Sequence, residues 1–298
     1  MDLLQLKYFQ TVAKFENVTR AAEELNIAQP SLSKTISNLE KDLGVSLFDR
    51  PGRRIRLNKF GTAFLKRVQN SFSELEQGQK ELMDMAGLEQ GNINIGASIA
   101  RLLPKMFSEF LNHHGNVRFR LIQVINHLDL QQRLINGRID LCISILPVEE
   151  NKVHCTPLFD EEIFLAVMPK HRLAGRENIN LKEIADEPFI RYAADSALRL
   201  ITDNFFQEAE IIPDTAFECT TPEVICSLVQ NGFGIALIPA SWWNLTGMDA
   251  LVKVSIRKPV CKRTIWLSWM ENHYLSQAAD KFKEFVIDYY AADKVNSP

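Results

Sequence analysis

The 298-residue chain lacks any apolar run long enough to cross a bilayer. Near its start, Lys7, Lys14 and Glu16 interrupt any apolar core of signal-peptide type, so the chain is expected to remain in the cytoplasm with no membrane partner. Its five cysteines, Cys142, Cys155, Cys219, Cys226 and Cys261, contain no C-x-x-C pair. A cytoplasmic chain keeps its thiols reduced, so no disulfide framework is expected. His113 and His114 adjoin each other at a helix end, with no carboxylate or cysteine at metal-ligand spacing. Gly232-Phe233-Gly234 lacks the third glycine of a dinucleotide fingerprint and leads from helix to strand, the reverse of what a phosphate loop requires. No nucleophile stands at a spacing that pairs it with a base. These absences argue against an enzyme, a metal site and a resident cofactor.

What is present begins with charge. Net charge is −3, but residues 1–70 hold twelve Lys and Arg against seven acids, a net of +5 that leaves −8 for the rest. A basic head on an acidic body is a nucleic-acid signature confined to the head. Within it, residues 17–43 read as two short helices and a tight turn. Asn17 or Thr19 can cap the first, whose apolar face holds Ala21, Ala22 and Leu25. Asn26 tolerates the left-handed conformation that the turn needs, and Ile27 plugs the space between the helices. The second helix starts at Gln29-Pro30, where a missing N–H costs nothing, and Leu32, Ile36, Leu39 and Leu43 form its buried stripe. The opposite face offers Gln29, Ser31, Ser33 and Lys34 near the N-terminus, short or cationic side chains of the kind that read base edges and phosphates. Pro51-Gly52 then marks a turn between two short extended runs, a β-wing. Arg50, Arg53, Arg54, Arg56 and Lys59 stand there against the single acid Asp49, suited to phosphate and minor-groove contact. An earlier helix over Asp2–Lys14, with Leu3, Leu6, Phe9 and Ala13 as its core stripe, is expected to support this pair.

Ala21-Ala22-Glu23 with Leu25, Gln29-Pro30-Ser31-Leu32-Ser33, Leu39-Glu40 with Leu43-Gly44, Leu47-Phe48-Asp49-Arg50, and Leu57 with Gly61 carry a resemblance to the LysR-type transcriptional regulators. Two positions depart from that pattern: Ala28 replaces the usual Ser or Thr cap of the recognition helix, and Asn58 replaces Thr, though Asn also caps. The resemblance implies a winged helix-turn-helix over 1–58, a linker and dimerisation helix over 59–88, and a two-lobed, periplasmic-binding-protein-like α/β effector domain over 91–298. DNA contacts are expected from Thr19, Arg20, Gln29, Pro30, Ser31, Ser33 and Lys34, and from Arg53 and Arg54 of the wing. The partners implied are double-stranded operator DNA, a small-molecule effector, a second copy joined into a dimer, a tetramer built from two dimers, and RNA polymerase if the output is activation. One subgroup of the family uses a thiol pair, which Cys219 and Cys226 would supply here.

The residues beyond the head agree with that layout. From 58 to 86 a long helix carries Leu65, Val68, Phe72, Leu75, Gln79, Leu82 and Ala86 at alternating spacings of three and four, a heptad seam, with Gly87 as a fitting stop. Residues 91–298 alternate strands and helices, which implies largely parallel sheets. One lobe is expected over about 91–161 and 267–298, the other over about 162–266. Ligands bind such folds near strand carboxyl ends and helix N-termini. Ser98 and Ile99 follow the first strand, Ser196 precedes a helix, and Thr220 and Thr221 lead from a strand into Pro222. Each hydroxyl is either a plain helix cap or an anion contact; Arg101, Arg191 and Arg199 are candidate counter-ions or structural pairs. Trp242, Trp243, Trp266 and Trp269 read as packing residues. A small anionic metabolite is the expected effector. The competing class, a solute-binding protein or enzyme with a helical head, calls for an export signal or a catalytic motif, and neither occurs.

Overall fold

A computed structural model describes residues 1–50, 55–86, 91–243 and 250–296. The chain divides into two compact units, Met1–Leu82 and Met83–Pro298.

In the first unit, α1 (Leu3–Phe15), α2 (Val18–Glu24) and α3 (Gln29–Leu43) surround Leu6, Phe9, Val12, Ala21, Ala22, Leu32, Ile36 and Leu39. Asp2 opens α1 with a reciprocal capping box to Gln5. Leu3 lies on the expected face yet is 55 % exposed, so the packed length of α1 begins one turn in, and Val12 completes the buried stripe. Asn17 caps α2 through the Arg20 N–H. Asn26 takes φ 53°, the left-handed turn expected of it. Ala28 stands at the N-cap of α3 without a side-chain bond, and Gly44 ends the helix at φ 71°. The wing strands β1 (Phe48–Asp49) and β2 (Arg56–Leu57) pair antiparallel. Two carboxylates fasten them: Glu40 accepts from the Leu47 and Phe48 N–H groups at 2.8 and 3.3 Å, and Glu16 from the Leu57 N–H at 2.8 Å. Asn58 accepts from the Gly61 N–H at 2.9 Å and so caps α4 (Lys59–Met85), as expected. At Gly61 the helix meets the wing so closely that a Cβ would lie 2.1 Å from the Leu47 carbonyl oxygen. Val68, with Phe64, Leu65 and Phe72, packs on the head core, whereas Leu75 and Leu82 are 54 % and 68 % exposed.

In the second unit, β3 (Asn92–Ala97), α5 (Leu103–His113), β4 (Arg118–Gln123), α6 (His127–Ile135) and β5 (Leu141–Ser144) form the expected β-α-β-α-β run, with β4 and β5 parallel to β3 on either side. β6 (Val153–Val167) is a single strand of 15 residues. Its first part pairs antiparallel with β12 (Lys262–Met270), up to the Lys262↔Glu162 pair. From Ile163 onward it pairs instead with β10 (Ala236–Pro239) and β11 (Val252–Lys258). The chain therefore passes from one lobe to the other inside β6 at residues 162–163, and returns through 259–261. These long antiparallel strands make the sheet mixed rather than largely parallel, because a chain that leaves a lobe and comes back must run alongside its own outward path. The second lobe adds β7 (Asn178–Asn180), parallel to β11, and a parallel pair of β8 (Pro188–Tyr192) and β9 (Asp214–Cys219). Its helices are α7 (Ala197–Glu208) and α8 (Pro222–Gln230). Finally α9 (Gln277–Asn296) packs Ala279, Phe282 and Val286 into the core that holds Met106 and Phe110 of α5. Gly232 turns at φ 78°, and Gly234 lies so close to β8 that a Cβ would meet the Pro188 carbonyl oxygen at 2.3 Å. The two glycines thus serve a tight helix-to-strand passage, not a phosphate.

Candidate functional site

In the head, the candidate reading surface is the N-terminal end of α3. Gln29, Pro30, Ser31 and Lys34 are exposed there, and Thr19 and Arg20 are exposed on α2. Ser33 is half-buried, and its Oγ accepts from Gln29 Nε2 at 2.9 Å, so it orients Gln29 rather than projecting alone. The Arg20 guanidinium lies 4.9 Å from the Phe15 ring centroid, which holds it beside the helix ends. Arg50 leans back onto Glu40 at 3.3 Å, leaving Arg56 and Lys59 exposed on the described part of the wing. Arg53 and Arg54 lie outside the described residues.

The second unit holds a pocket of about 260 Å³ between its two lobes. All six residues marked in the sequence line it: Ser98, Ile99, Arg101, Ser196, Thr220 and Thr221. They arrive from three strand-to-helix passages, β3 to α5, β8 to α7 and β9 to α8. The three passages are not equivalent. Ser196 Oγ accepts from the Leu198 N–H at 3.2 Å, an ordinary cap. Thr221 is the N-cap of α8 in backbone terms, but its side chain makes no capping bond. Ser98 Oγ is buried and has no hydrogen-bond partner among the described residues. Arg101 Nη1 is likewise buried and partnerless. Its guanidinium lies 4.2 Å from the centroid of the Trp242 ring, which reaches it from the opposite lobe. Burial pulls the Arg101 pKa below its ordinary value, and the fields of Glu161 and Glu223 act against that pull.

Arg191 and Arg199 are structural pairs. Arg191 bonds Asp203 and, at 3.1 Å, Thr215. Arg199 bonds Asp203 at 3.0 Å, Glu218 at 2.7 Å and the Tyr192 carbonyl at 2.8 Å. The residues that sequence reasoning missed include Trp242, Tyr192, Arg263 and Glu223, with Gln123 at the end of β4 and Ile125 just beyond it. Arg263 carried one visible signal, a cation just before the Ile265-Trp266-Leu267 run of β12; the others carried none. Cys219 and Cys226 are free thiols in this structure. Burial raises both pKa values, that of Cys226 to about 11, which suppresses the reactive thiolate.

Comparison with known proteins bears on both surfaces. Residues 3–62 match the family described as bacterial regulatory helix-turn-helix protein, lysR family, and residues 86–291 match the LysR substrate binding domain. The uncharacterized HTH-type transcriptional regulator YybE of Bacillus subtilis (strain 168) is 38% identical over 297 residues, 98% of this chain and 100% of that protein. The transcriptional dual regulator GltC of the same organism is 32% identical over 295 residues, 98% of each chain. Among solved structures, the effector binding domain of QuiR in complex with shikimate is 26% identical with a TM-score of 0.62, covering 68% of this chain and 99% of that one.

Proposed function

The chain belongs to the LysR family of bacterial helix-turn-helix transcriptional regulators, and from that premise we propose that a small anionic metabolite, bound in the pocket between its lobes, controls its action at an operator. As a member of that family it is a DNA-binding regulator with a ligand-binding domain, and not an enzyme. The observation that carries the proposal is the pair of buried donors, Ser98 Oγ and Arg101 Nη1, that have no partner among the described residues and lie on one wall of the pocket. A buried polar group left unpaired costs about 1–3 kcal/mol, and an anion meeting both groups recovers that cost. The unengaged Thr221 hydroxyl and the N-terminal end of α8 add to the favourable field. Micromolar binding, about −8 kcal/mol, is within reach of such a set. QuiR was solved with shikimate, itself a carboxylate, the same chemistry.

At the operator, Gln29, Ser31 and Lys34 enter the major groove, Thr19, Arg20 and Pro30 lie along the backbone, and Arg53 and Arg54 of the wing reach the minor groove. Two chains pair along the α4 seam, where exposed Leu75 and Leu82 support the pairing, and two such dimers form a tetramer in the cytoplasm. RNA polymerase is the further partner where the output is activation. A ligand acts by binding one arrangement of lobes more tightly than another. The test replaces Ser98 and Thr221 together with Val. The double variant should lose its response to carboxylates in a reporter strain and lose their heat of binding by calorimetry, while retaining basal operator affinity. A normal response would place the effector elsewhere.

A further inference from the structure

We infer that the effector is a monocarboxylate that also bears a hydroxyl or carbonyl oxygen, and that Arg263 selects for that second oxygen. The inference rests on the anion reading above and narrows it. Two guanidinium groups line the pocket, and their electrostatic states differ. Arg101 has no contact ion pair among the described residues and stacks on Trp242, so only the more distant fields of Glu161 and Glu223 act on its charge. Arg263 has a side chain only 1% exposed, and Glu161 neutralises it. Its Nε donates to Glu161 Oε2 at 2.7 Å. Its Nη2 lies 2.6 Å from the same Glu161 oxygen, a contact ion pair. The other Glu161 oxygen accepts from the Ser241 N–H at 2.6 Å, so the carboxylate is held from both sides. Among the described residues, Arg263 Nη1 is left buried and without an acceptor.

That Nη1 is a donor whose charge is already balanced. A ligand carboxylate placed against it would sit beside the Glu161 carboxylate, whose Oε2 Arg263 Nε already holds at 2.7 Å. Like charges so close in a partly desolvated site oppose each other strongly. A hydroxyl or carbonyl oxygen accepts from Nη1 without that repulsion. The ligand carboxylate therefore belongs with Arg101 and Ser98, and the neutral oxygen with Arg263. Ile99, Ile125, Ile145 and Leu198 supply apolar walls for the carbon body between them.

The test is calorimetry on the full-length protein with two matched series: butanoate, 4-hydroxybutanoate and glutarate, then benzoate, 3-hydroxybenzoate and isophthalate. Within each, one position carries hydrogen, hydroxyl or carboxylate. At least one series should bind, with the hydroxy acid about fivefold or more tighter than its parent and the dicarboxylate weakest. Arg263→Lys keeps a cation for Glu161 but removes Nη1. It should erase the preference for the hydroxy acid while leaving affinity for the parent within about twofold. Should that variant not fold, the wild-type ranking still decides. A dicarboxylate that binds tightest, or a hydroxyl preference that survives Arg263→Lys, overturns the inference and leaves the anion pocket standing. Failure of all six acids to bind at millimolar concentration refutes the anion pocket itself, and this inference with it.

Discussion

Replacing one glycine of α4 by alanine should weaken the head, and replacing another should strengthen the helix. At Gly61 the added Cβ would stand 2.1 Å from the Leu47 carbonyl oxygen and 2.6 Å from Leu57 Cδ1. The Leu57 side chain can turn away. The Leu47 carbonyl cannot do so freely, because it is backbone and accepts the Asn58 N–H at 3.0 Å just before α4 begins. Overpacking of this kind costs about 1–3 kcal/mol, and losing the Asn58 bond adds about 1. Alanine's better helix propensity returns about 1 kcal/mol. The net expectation for Gly61→Ala is a loss of about 2 kcal/mol, with the wing displaced from α4. At Gly78 a Cβ meets nothing within 4 Å, so only the propensity acts, and Gly78→Ala should gain about 1 kcal/mol. Hydrogen exchange on the full-length protein separates the two. In Gly61→Ala, amides of α1 to α3 that exchange by opening of the whole head should speed up about thirtyfold, the factor for 2 kcal/mol. Those of β3 to β6 should not change. Operator affinity by fluorescence anisotropy should fall in parallel. Unchanged head exchange and DNA binding in Gly61→Ala would falsify the close approach of helix and wing.

Lys34→Ala should weaken binding to all duplexes and lower the slope of log affinity against log salt by about 1, whereas Gln29→Ala should cost about 1–3 kcal/mol and relax preference at one base pair. If both leave operator affinity intact, α3 does not dock by its N-terminal end. Charge at the seam, as in Leu75→Glu with Leu82→Glu, should abolish dimers in sedimentation and operator binding together; a monomer that still binds its operator would refute the pairing. Folding favours the neutral form of Cys226, whose thiol is raised to about 11, so at pH 8 about one molecule in a thousand carries the thiolate. Iodoacetamide should leave Cys226 unmodified at pH 8 until the protein is unfolded, and reaction at a free-thiol rate would reopen a redox role.

Much of this fold was legible because local physics set it. The periodicity of α3, the Asn17 and Asn58 caps, the left-handed Asn26 and the heptad of α4 each involve residues within a few positions of one another. Ser98, Ser196 and Thr221 were legible as strand-to-helix passages for the same reason. The strand β11 is open to the same local reading, since Val252, Val254 and Ile256 alternate with polar residues. The first half of β6 was obscured by Pro157, which breaks a strand pattern; in the structure it sits at an irregularity of register between Ile265 and Trp266 of β12.

By itself, then, the sequence determined the helices of the head, its basic charge, the long helix α4 and the alternating order of the body. These depend on spacing along the chain and on side-chain charge, which folding does not alter. The tertiary structure alone decided that the β3, β8 and β9 passages share one pocket, that Ser196 is an ordinary cap while Ser98 Oγ has no partner among the described residues, and that Arg199 pairs with Asp203 and Glu218 while Arg101 makes no ion pair among them. Such outcomes depend on which groups meet across more than a hundred residues, as Glu161 meets Arg263. Whether a hydroxyl or a guanidinium is engaged depends on the positions of those distant partners, and no local pattern records them.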